Sequence, residues 1–173
     1  MDMTKTLSFT RSDYMALPEG FPAELIEGAL VKEPAPSFGH QWYVGQIYRL
    51  LVDLVGSERV ILSPIDVFID DYNILQPDVC VVEADLRRDV AEIGIPTLAI
   101  EVLSPSTARR DREQKRRIYL RAGIQEVWIL DTKAQRIELY TPEGGQTFTG
   151  GEEATSTTVP GFRLTPEELF SED

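Results

Sequence analysis

One stretch constrains this chain more than any other. Thr97-Leu98-Ala99-Ile100-Glu101-Val102-Leu103, closed by Ser104-Pro105-Ser106, is a short apolar run bounded by turn formers. That is the pattern of a strand buried on both faces. Its middle holds one carboxylate, Glu101. An ionised carboxylate in apolar surroundings is costly unless a cation, a metal or a hydrogen-bond donor compensates it. The rest of the fold must bring such a partner to Glu101.

Periodicity supplies the neighbours. Over residues 38–55, Val44, Ile47, Tyr48, Leu51 and Val55 fall three and four apart, forming one buried stripe of a helix that Gly56 stops. Thr10-Arg11-Ser12-Asp13 opens a shorter helix, with Thr10 as N-cap and an acid at the third helical position, and Pro18-Glu19-Gly20 ends it. Glu24-Leu25-Ile26 and Ala29-Leu30-Val31 flank Glu27-Gly28, a pair suited to the positive φ of a tight hairpin turn. Strands are predicted over 60–70, 78–83, 97–103, 126–131 and 136–140, with polar loops at 70–73 and 85–92. A basic helix covers about 107–121 and stops at Ala122-Gly123, and Thr165-Pro166-Glu167-Glu168 caps a last short one. This order of helices and strands gives an α/β chain with a mixed sheet and helices packed against it. At 173 residues, with no internal repeat and no linker that would divide it, the chain reads as a single domain over 1–173.

Composition narrows the chemistry. One cysteine, Cys80, excludes an internal disulfide framework, and one histidine, His40, excludes a zinc site of the usual Cys/His kind. Any metal must then be held by oxygen. No apolar run reaches the length of a membrane span and no signal-peptide pattern opens the chain, so a cytoplasmic protein is expected. A net charge of −12 argues against whole-surface attraction to nucleic acid or anionic lipid. Yet Arg109, Arg110, Arg112, Lys115, Arg116, Arg117 and Arg121 concentrate seven of the 17 basic residues just after Glu101.

The partners of Glu101 can be named from spacing. On a strand, Thr97, Ala99, Glu101 and Leu103 share a side, and small Ala99 leaves room beside the carboxylate. Gln76-Pro77-Asp78-Val79 puts Asp78 at a strand start, where Pro is tolerated. If the two strands are neighbours, Asp78 and Glu101 converge. Two carboxylates held close repel unless a hard divalent cation lies between them, and Mg²⁺ suits few carboxylates plus waters and phosphate oxygens. On the basic helix, Asp111, Lys115 and Tyr119 recur every four residues on one face. A lysine aimed from there could orient a water and stabilise charge on a phosphate. Asp78, Glu101 and Lys115 together would make a metal-assisted phosphodiesterase site. Blander readings stand beside this one: Asp78 as a strand-start residue, Asp111–Lys115 as a surface ion pair, and the arginines as a solvated face. No phosphate-binding Gly-rich loop and no Gly-x-Ser-x-Gly elbow is present.

These motifs resemble the Uma-two family of restriction-endonuclease-like proteins, within the PD-(D/E)xK nuclease superfamily. The resemblance runs from Phe9 to Phe170, through Glu24-Leu25-Ile26-Glu27-Gly28, His40 opening a helix, Ser63-Pro64-Ile65-Asp66-Val67 and Gln76-Pro77-Asp78-Val79. It continues through Ile100-Glu101-Val102-Leu103-Ser104-Pro105-Ser106-Thr107, then Asp111, Lys115 and Tyr119, then Gly123-Ile124-Gln125-Glu126-Val127-Trp128. It implies a restriction-endonuclease-like core, with an N-terminal β-hairpin and flanking helices around a mixed α+β sheet. It also implies metal-dependent phosphodiester hydrolysis, with Asp78 and Glu101 as ligands of Mg²⁺, for which Mn²⁺ can substitute. The superfamily's usual lysine lies two residues after the second acid, where this chain has Leu103. Lys115 resembles a migrated replacement, and its pairing with Tyr119 is similar to a Gln-x-x-x-Tyr helix motif of related nucleases. Glu24 and His40 match family positions. Glu24 either joins the metal shell or faces solvent on the hairpin, and His40 either contacts substrate or caps its helix.

Two functions are therefore carried forward. The first is a Mg²⁺-dependent DNA endonuclease, with the arginines holding phosphates; the two strands of a duplex invite two sites and hence a homodimer. The second is a catalytically inactive module of the same fold that binds nucleic acid or serves as a subunit of a mobile-element system.

Overall fold

The computed structural model describes residues 8–171, so the termini of the expected 1–173 domain lie outside the described residues. The first helix, α1 (Arg11–Met15), closes the anticipated capping box: Asp13 N–H donates to the Thr10 hydroxyl, and Thr10 N–H donates back to the Asp13 carboxylate at 2.8 Å. Strands β1 (Ala23–Ile26) and β2 (Ala29–Lys32) form the hairpin. Its turn residues Glu27 and Gly28 have φ of 50° and 78°. A Cβ on Gly28 would stand 2.8 Å from that of Ser8, so glycine is required there.

Helix α2 (Phe38–Val55) is capped by the Ser37 hydroxyl and ends at Gly56, as its pattern demands. Val44, Ile47 and Leu51 are buried, with Tyr48 and Val55 packed at the margin. Burying each such side chain contributes about 1.5–3 kcal/mol.

The predicted strand over 60–70 is two strands, and they belong to different sheets. β3 (Val60–Leu62) ends before Ser63-Pro64, and the chain resumes as β4 (Asp66–Asp70). Pro64 has no N–H to continue a ladder, which makes the crossing possible here. The expected loop at 70–73 is a tight turn that returns the chain as β5 (Asn73–Leu75), a strand the composition conceals. Three strands follow in order: β6 (Val79–Val81), the two-residue β7 (Glu92–Ile93) and β8 (Leu98–Val102).

The basic helix opens with an under-wound π turn, Arg110–Lys115, and continues as α3 (Arg116–Ala122), which Gly123 closes in the left-handed region at φ 100°. β9 (Glu126–Asp131), β10 (Arg136–Thr141) and β11 (Gly144–Thr149) form an antiparallel ribbon, of which β11 was not anticipated. The tail adds the pair β12 (Ala154–Thr155) and β13 (Arg163–Leu164), then α4 (Pro166–Phe170), capped by Thr165 as expected.

The central sheet has the order β11-β10-β9-β8-β6-β3, and a second sheet has the order β2-β1-β5-β4-β7. The central sheet is mixed, because β8 and β9 run parallel while its other pairings are antiparallel. Strand β8 lies inside it and alternates as its sequence predicts. Leu98, Ile100 and Val102 join the core beneath α2, while Ala99 and Leu103 join the core beneath α3. Glu101 therefore points to the α3 side, and everything that meets it comes from that direction or from the sheet itself.

Candidate active site

Register brings the first acid to Glu101. β6 and β8 pair Val79 with Ile100 and Cys80 with Ala99, so Asp78 falls opposite Glu101 one step beyond the ladder. Asp78 is not merely a strand starter. Its Oδ2 accepts the Val102 backbone N–H at 2.7 Å and lies 3.3 Å from His40 Nε2. The helix-capping alternative for His40 falls away, because Ser37 caps α2 and the imidazole faces Asp78. The hydrogen bond to Asp78 holds the His40 pKa above its ordinary value, against the opposing pull of burial.

The second contribution comes from the π turn and α3. Lys115 Nζ lies 2.7 Å from Glu101 Oε1, 2.9 Å from Glu24 Oε1 and 3.9 Å from Asp111 Oδ1. The Tyr119 hydroxyl donates to Glu101 Oε1 at 2.6 Å. Glu24, from β1, also accepts the Gln76 N–H at 2.5 Å, which ties the hairpin to the segment leading to Asp78. Relative exposure is 2% for Glu101 and Lys115 and 0% for Glu24 and Tyr119. The Asp111–Lys115 pair is thus buried rather than solvated, and Glu24 faces the interior, not solvent. All six candidate residues, Glu24, Asp78, Glu101, Lys115, Tyr119 and His40, meet in one place.

The π turn explains how Asp111, Lys115 and Tyr119 all face inward. Four residues overshoot one α-helical turn by about 40°, so a strict four-residue repeat drifts around a helix. Here the Arg116 N–H bonds back to the Asp111 carbonyl, five residues earlier, and this under-winding counters the drift.

Electrostatics set the protonation. Burial pushes the Glu101 carboxyl well above its ordinary value, and the Lys115 ammonium opposes that rise. Burial would lower the Lys115 pKa, but the carboxylates of Glu101, Glu24 and Asp111 outweigh it and keep the side chain an ammonium. Even so, Glu24, Asp78, Glu101 and Asp111 outnumber the one ammonium among them. Glu24 Oε2 and Asp111 Oδ1 are buried with no hydrogen-bond partner. An all-oxygen donor set with surplus negative charge and unsatisfied lone pairs fits a hard divalent cation. Among the described residues, no group of three or more His, Cys, Asp or Glu side chains forms a ready-made metal cage. Such an ion would therefore draw ligands from water and substrate as well, which is how Mg²⁺ is commonly bound.

Most arginines of the helix have carboxylate or aromatic partners. Arg112 is held by Asp131 at 2.6 Å and Glu138 at 2.9 Å, Arg117 by Glu27 at 2.7 Å and Arg109 by Glu113 at 3.3 Å. Arg116 lies over the Tyr140 ring at 4.2 Å. Arg112 and Arg116 fasten the helix to the ribbon and Arg117 fastens it to the hairpin turn, while Arg109 pairs along the same helix and stays exposed. Only Arg110 turns toward the buried acids, where it meets Glu33 at 2.7 Å. Sequence reasoning passed over Glu33, which lies outside the motifs and whose partner is 77 residues away.

Comparison with known proteins bears on family and fold. Residues 11–167 match a family model described as "Uma2: Putative restriction endonuclease". No curated protein matches the chain. Among solved structures it is similar to one described as "a putative nuclease belonging to DUF820 from Anabaena variabilis ATCC 29413". The TM-score is 0.81 at 23% identity, covering 94% of this chain and 97% of that one, which establishes a shared fold. No helix among the described residues is long and apolar enough to cross a membrane.

Proposed function

This chain belongs to the Uma2 family and has a restriction-endonuclease-like fold, and on that premise we propose that it is a Mg²⁺-dependent endonuclease hydrolysing phosphodiester bonds in DNA. The carrying observation is Lys115. Leu103 stands where the superfamily's lysine usually does and is buried among apolar residues. Lys115 reaches Glu101 at 2.7 Å from the helix instead, supplying the missing ammonium beside the second acid.

Asp78 and Glu101 are the residues that would hold Mg²⁺, with Glu24 close behind through Lys115. A bound divalent ion supplies Lewis acidity at the phosphoryl oxygen and a more acidic water. The chain's own groups do the positioning. The Val102 N–H and His40 fix the carboxylate of Asp78, and Tyr119 fixes that of Glu101. The ammonium of Lys115, itself oriented by Glu24 and Glu101, stabilises negative charge developing at phosphorus as water adds and the P–O bond breaks. In that step the water's hydroxyl goes to phosphorus and a proton to the leaving oxygen. Asp78 and His40, with side chains 16% and 14% exposed, form the open side from which a backbone phosphate would approach.

The test is cleavage of supercoiled and linear DNA by the purified protein with Mg²⁺, with chelator, and with Asp78→Ala. Cleavage that needs the metal and disappears with Asp78→Ala is the expected result. An absence of Mg²⁺-stimulated cleavage on any DNA, with Asp78→Ala behaving identically, would overturn the proposal.

One observation favours the inactive module as a second reading: Lys115 and Glu101 are sealed from solvent and most arginines of the helix are paired internally. Calorimetry separates the two. An enzyme should bind Mg²⁺ or Mn²⁺ at a site that Glu101→Gln abolishes, whereas a module should show no site at millimolar metal.

A further inference from the structure

Arg110 differs from the other arginines of its helix in position and in how it is held. Its side chain is only 17% exposed and it lies at the rim of the buried acids. One of its nitrogens, Nη2, donates to Glu33 Oε2 at 3.0 Å and lies 2.7 Å from Oε1, which is buried without a hydrogen-bond partner. Its Nε is buried without a hydrogen-bond partner, 3.7 Å from Asp111 Oδ1. The guanidinium fork is built to offer two parallel N–H donors to two oxygens of one anion. Glu33 engages half of that fork and leaves the other half unused. Glu33 itself follows β2, precedes Pro34 and is 27% exposed at its side chain, so its hold on Arg110 is neither deep nor two-pronged.

We propose that Arg110 grips the scissile phosphodiester through both prongs of its guanidinium, and that Glu33 holds it in the free protein and yields it when the phosphate arrives. Glu33 is the protein's own stand-in for the substrate anion. This deepens the nuclease reading above and rests on it. The competing explanation is a structural pin, in which the pair merely fastens the hairpin to the helix.

The two explanations predict opposite effects for one substitution. A labelled DNA oligonucleotide is titrated with the protein by fluorescence anisotropy in Ca²⁺, and kcat and KM are measured in Mg²⁺. Arg110→Ala should raise Kd and KM about tenfold and lower the slope of log Kd against log salt by about one. Glu33→Gln should tighten binding about threefold or more, because it removes the charge that competes for Arg110. Adding Glu33→Gln to Arg110→Ala should bring no gain. If Glu33→Gln leaves affinity unchanged or weakens it, the pair is a pin and the proposal is overturned, even if Arg110→Ala folds poorly. Wild-type cleavage with an unaltered Kd and salt slope in Arg110→Ala would sink Arg110 alone. A wild-type protein with neither DNA binding nor Mg²⁺-stimulated cleavage would remove the nuclease reading and this one with it.

Discussion

Lys115 has two duties that can be separated by mutation. It is the ammonium beside Glu101 and Glu24, and it is the charge that makes their burial tolerable. Lys115→Met removes both at nearly constant volume. Cleavage should fall about 10²–10³-fold for the lost electrostatic stabilisation. Urea denaturation should show a loss of about 3–5 kcal/mol at neutral pH, since breaking a buried pair strands the partner charge. That loss should shrink in acid. The folded-state pKa of Glu101 is already raised, so folding favours its protonated form, and that stability is lost as pH rises above the ordinary carboxyl range. A loss of equal size at pH 5 and pH 8 would contradict the assignment. Glu33 offers a milder version in the wild type. Burial and the neighbouring Glu24 push its pKa up to about 7, above the 4.5 of an unfolded chain. The metal-free protein should lose stability as pH climbs from 4.5 toward 7, and Glu33→Gln should flatten that decline in a series of melting curves.

At the scale of elements, one carboxylate ties the tail to the central sheet beside the apolar packing of Val159, Phe162, Leu169 and Phe170. Glu126 opens β9 and is fully buried, yet it accepts from the Ser156 hydroxyl at 2.6 Å, the Thr157 N–H at 2.5 Å and the Trp128 Nε1–H at 3.1 Å. Burial alone would raise its pKa, but these hydrogen bonds together outweigh burial and hold it below the ordinary value. Glu126→Ala should cost about 2–4 kcal/mol in urea unfolding by leaving several donors unpaired. The wild type should lose this contribution as pH falls through the lowered pKa. A change within about 0.5 kcal/mol would mean the tail is held by apolar packing alone. Elements with strong local signals were legible before the structure: the Thr10 and Thr165 caps, the Glu27-Gly28 turn and the α2 stripe are each set within a few residues. The misses have a common cause. Residues 60–62 and 65–69 are both β-rich, and although Pro64 between them marks a break, nothing local reveals that the two halves join different sheets. Strand β11 is Gly-Gly-Gln-Thr-Phe-Thr, exposed at the sheet edge, and has no buried face to impose alternation. Asp111, Lys115 and Tyr119 share one buried face, as their four-residue spacing predicts, although the π turn that aligns them leaves no mark in the sequence.

For the molecule as a whole, the distribution of charge matters more than its sum. Seven basic residues in a row of thirteen suggested a phosphate-binding helix in a chain of net charge −12. Five of them are committed to carboxylates: Arg109, Arg110, Arg112, Lys115 and Arg117. Apart from the i,i+4 pair Arg109–Glu113, sequence order cannot show this, because the partners Glu27, Glu33, Glu101, Asp131 and Glu138 come from the hairpin, the residue that follows it and the central sheet. The acidic excess outside these pairs gives no long-range pull toward a polyanion, so recognition must rest on contacts formed at the site mouth. Binding to DNA should accordingly release few counterions. In Ca²⁺, with cleavage suppressed, the plot of log Kd against log salt should have a slope no steeper than about +3, corresponding to roughly three phosphates. Without a divalent ion, binding should be too weak to measure at physiological salt, because the carboxylates around Asp78 and Glu101 then repel the backbone. A slope near +6 or steeper would show that the arginine–carboxylate pairs of the helix open to meet the DNA. In that case charge-neutral variants such as Glu27→Gln and Glu138→Gln should tighten binding as Glu33→Gln is expected to. A shallow slope with no effect of Glu27→Gln or Glu138→Gln would instead leave Arg110 as the arginine of this helix that meets phosphate.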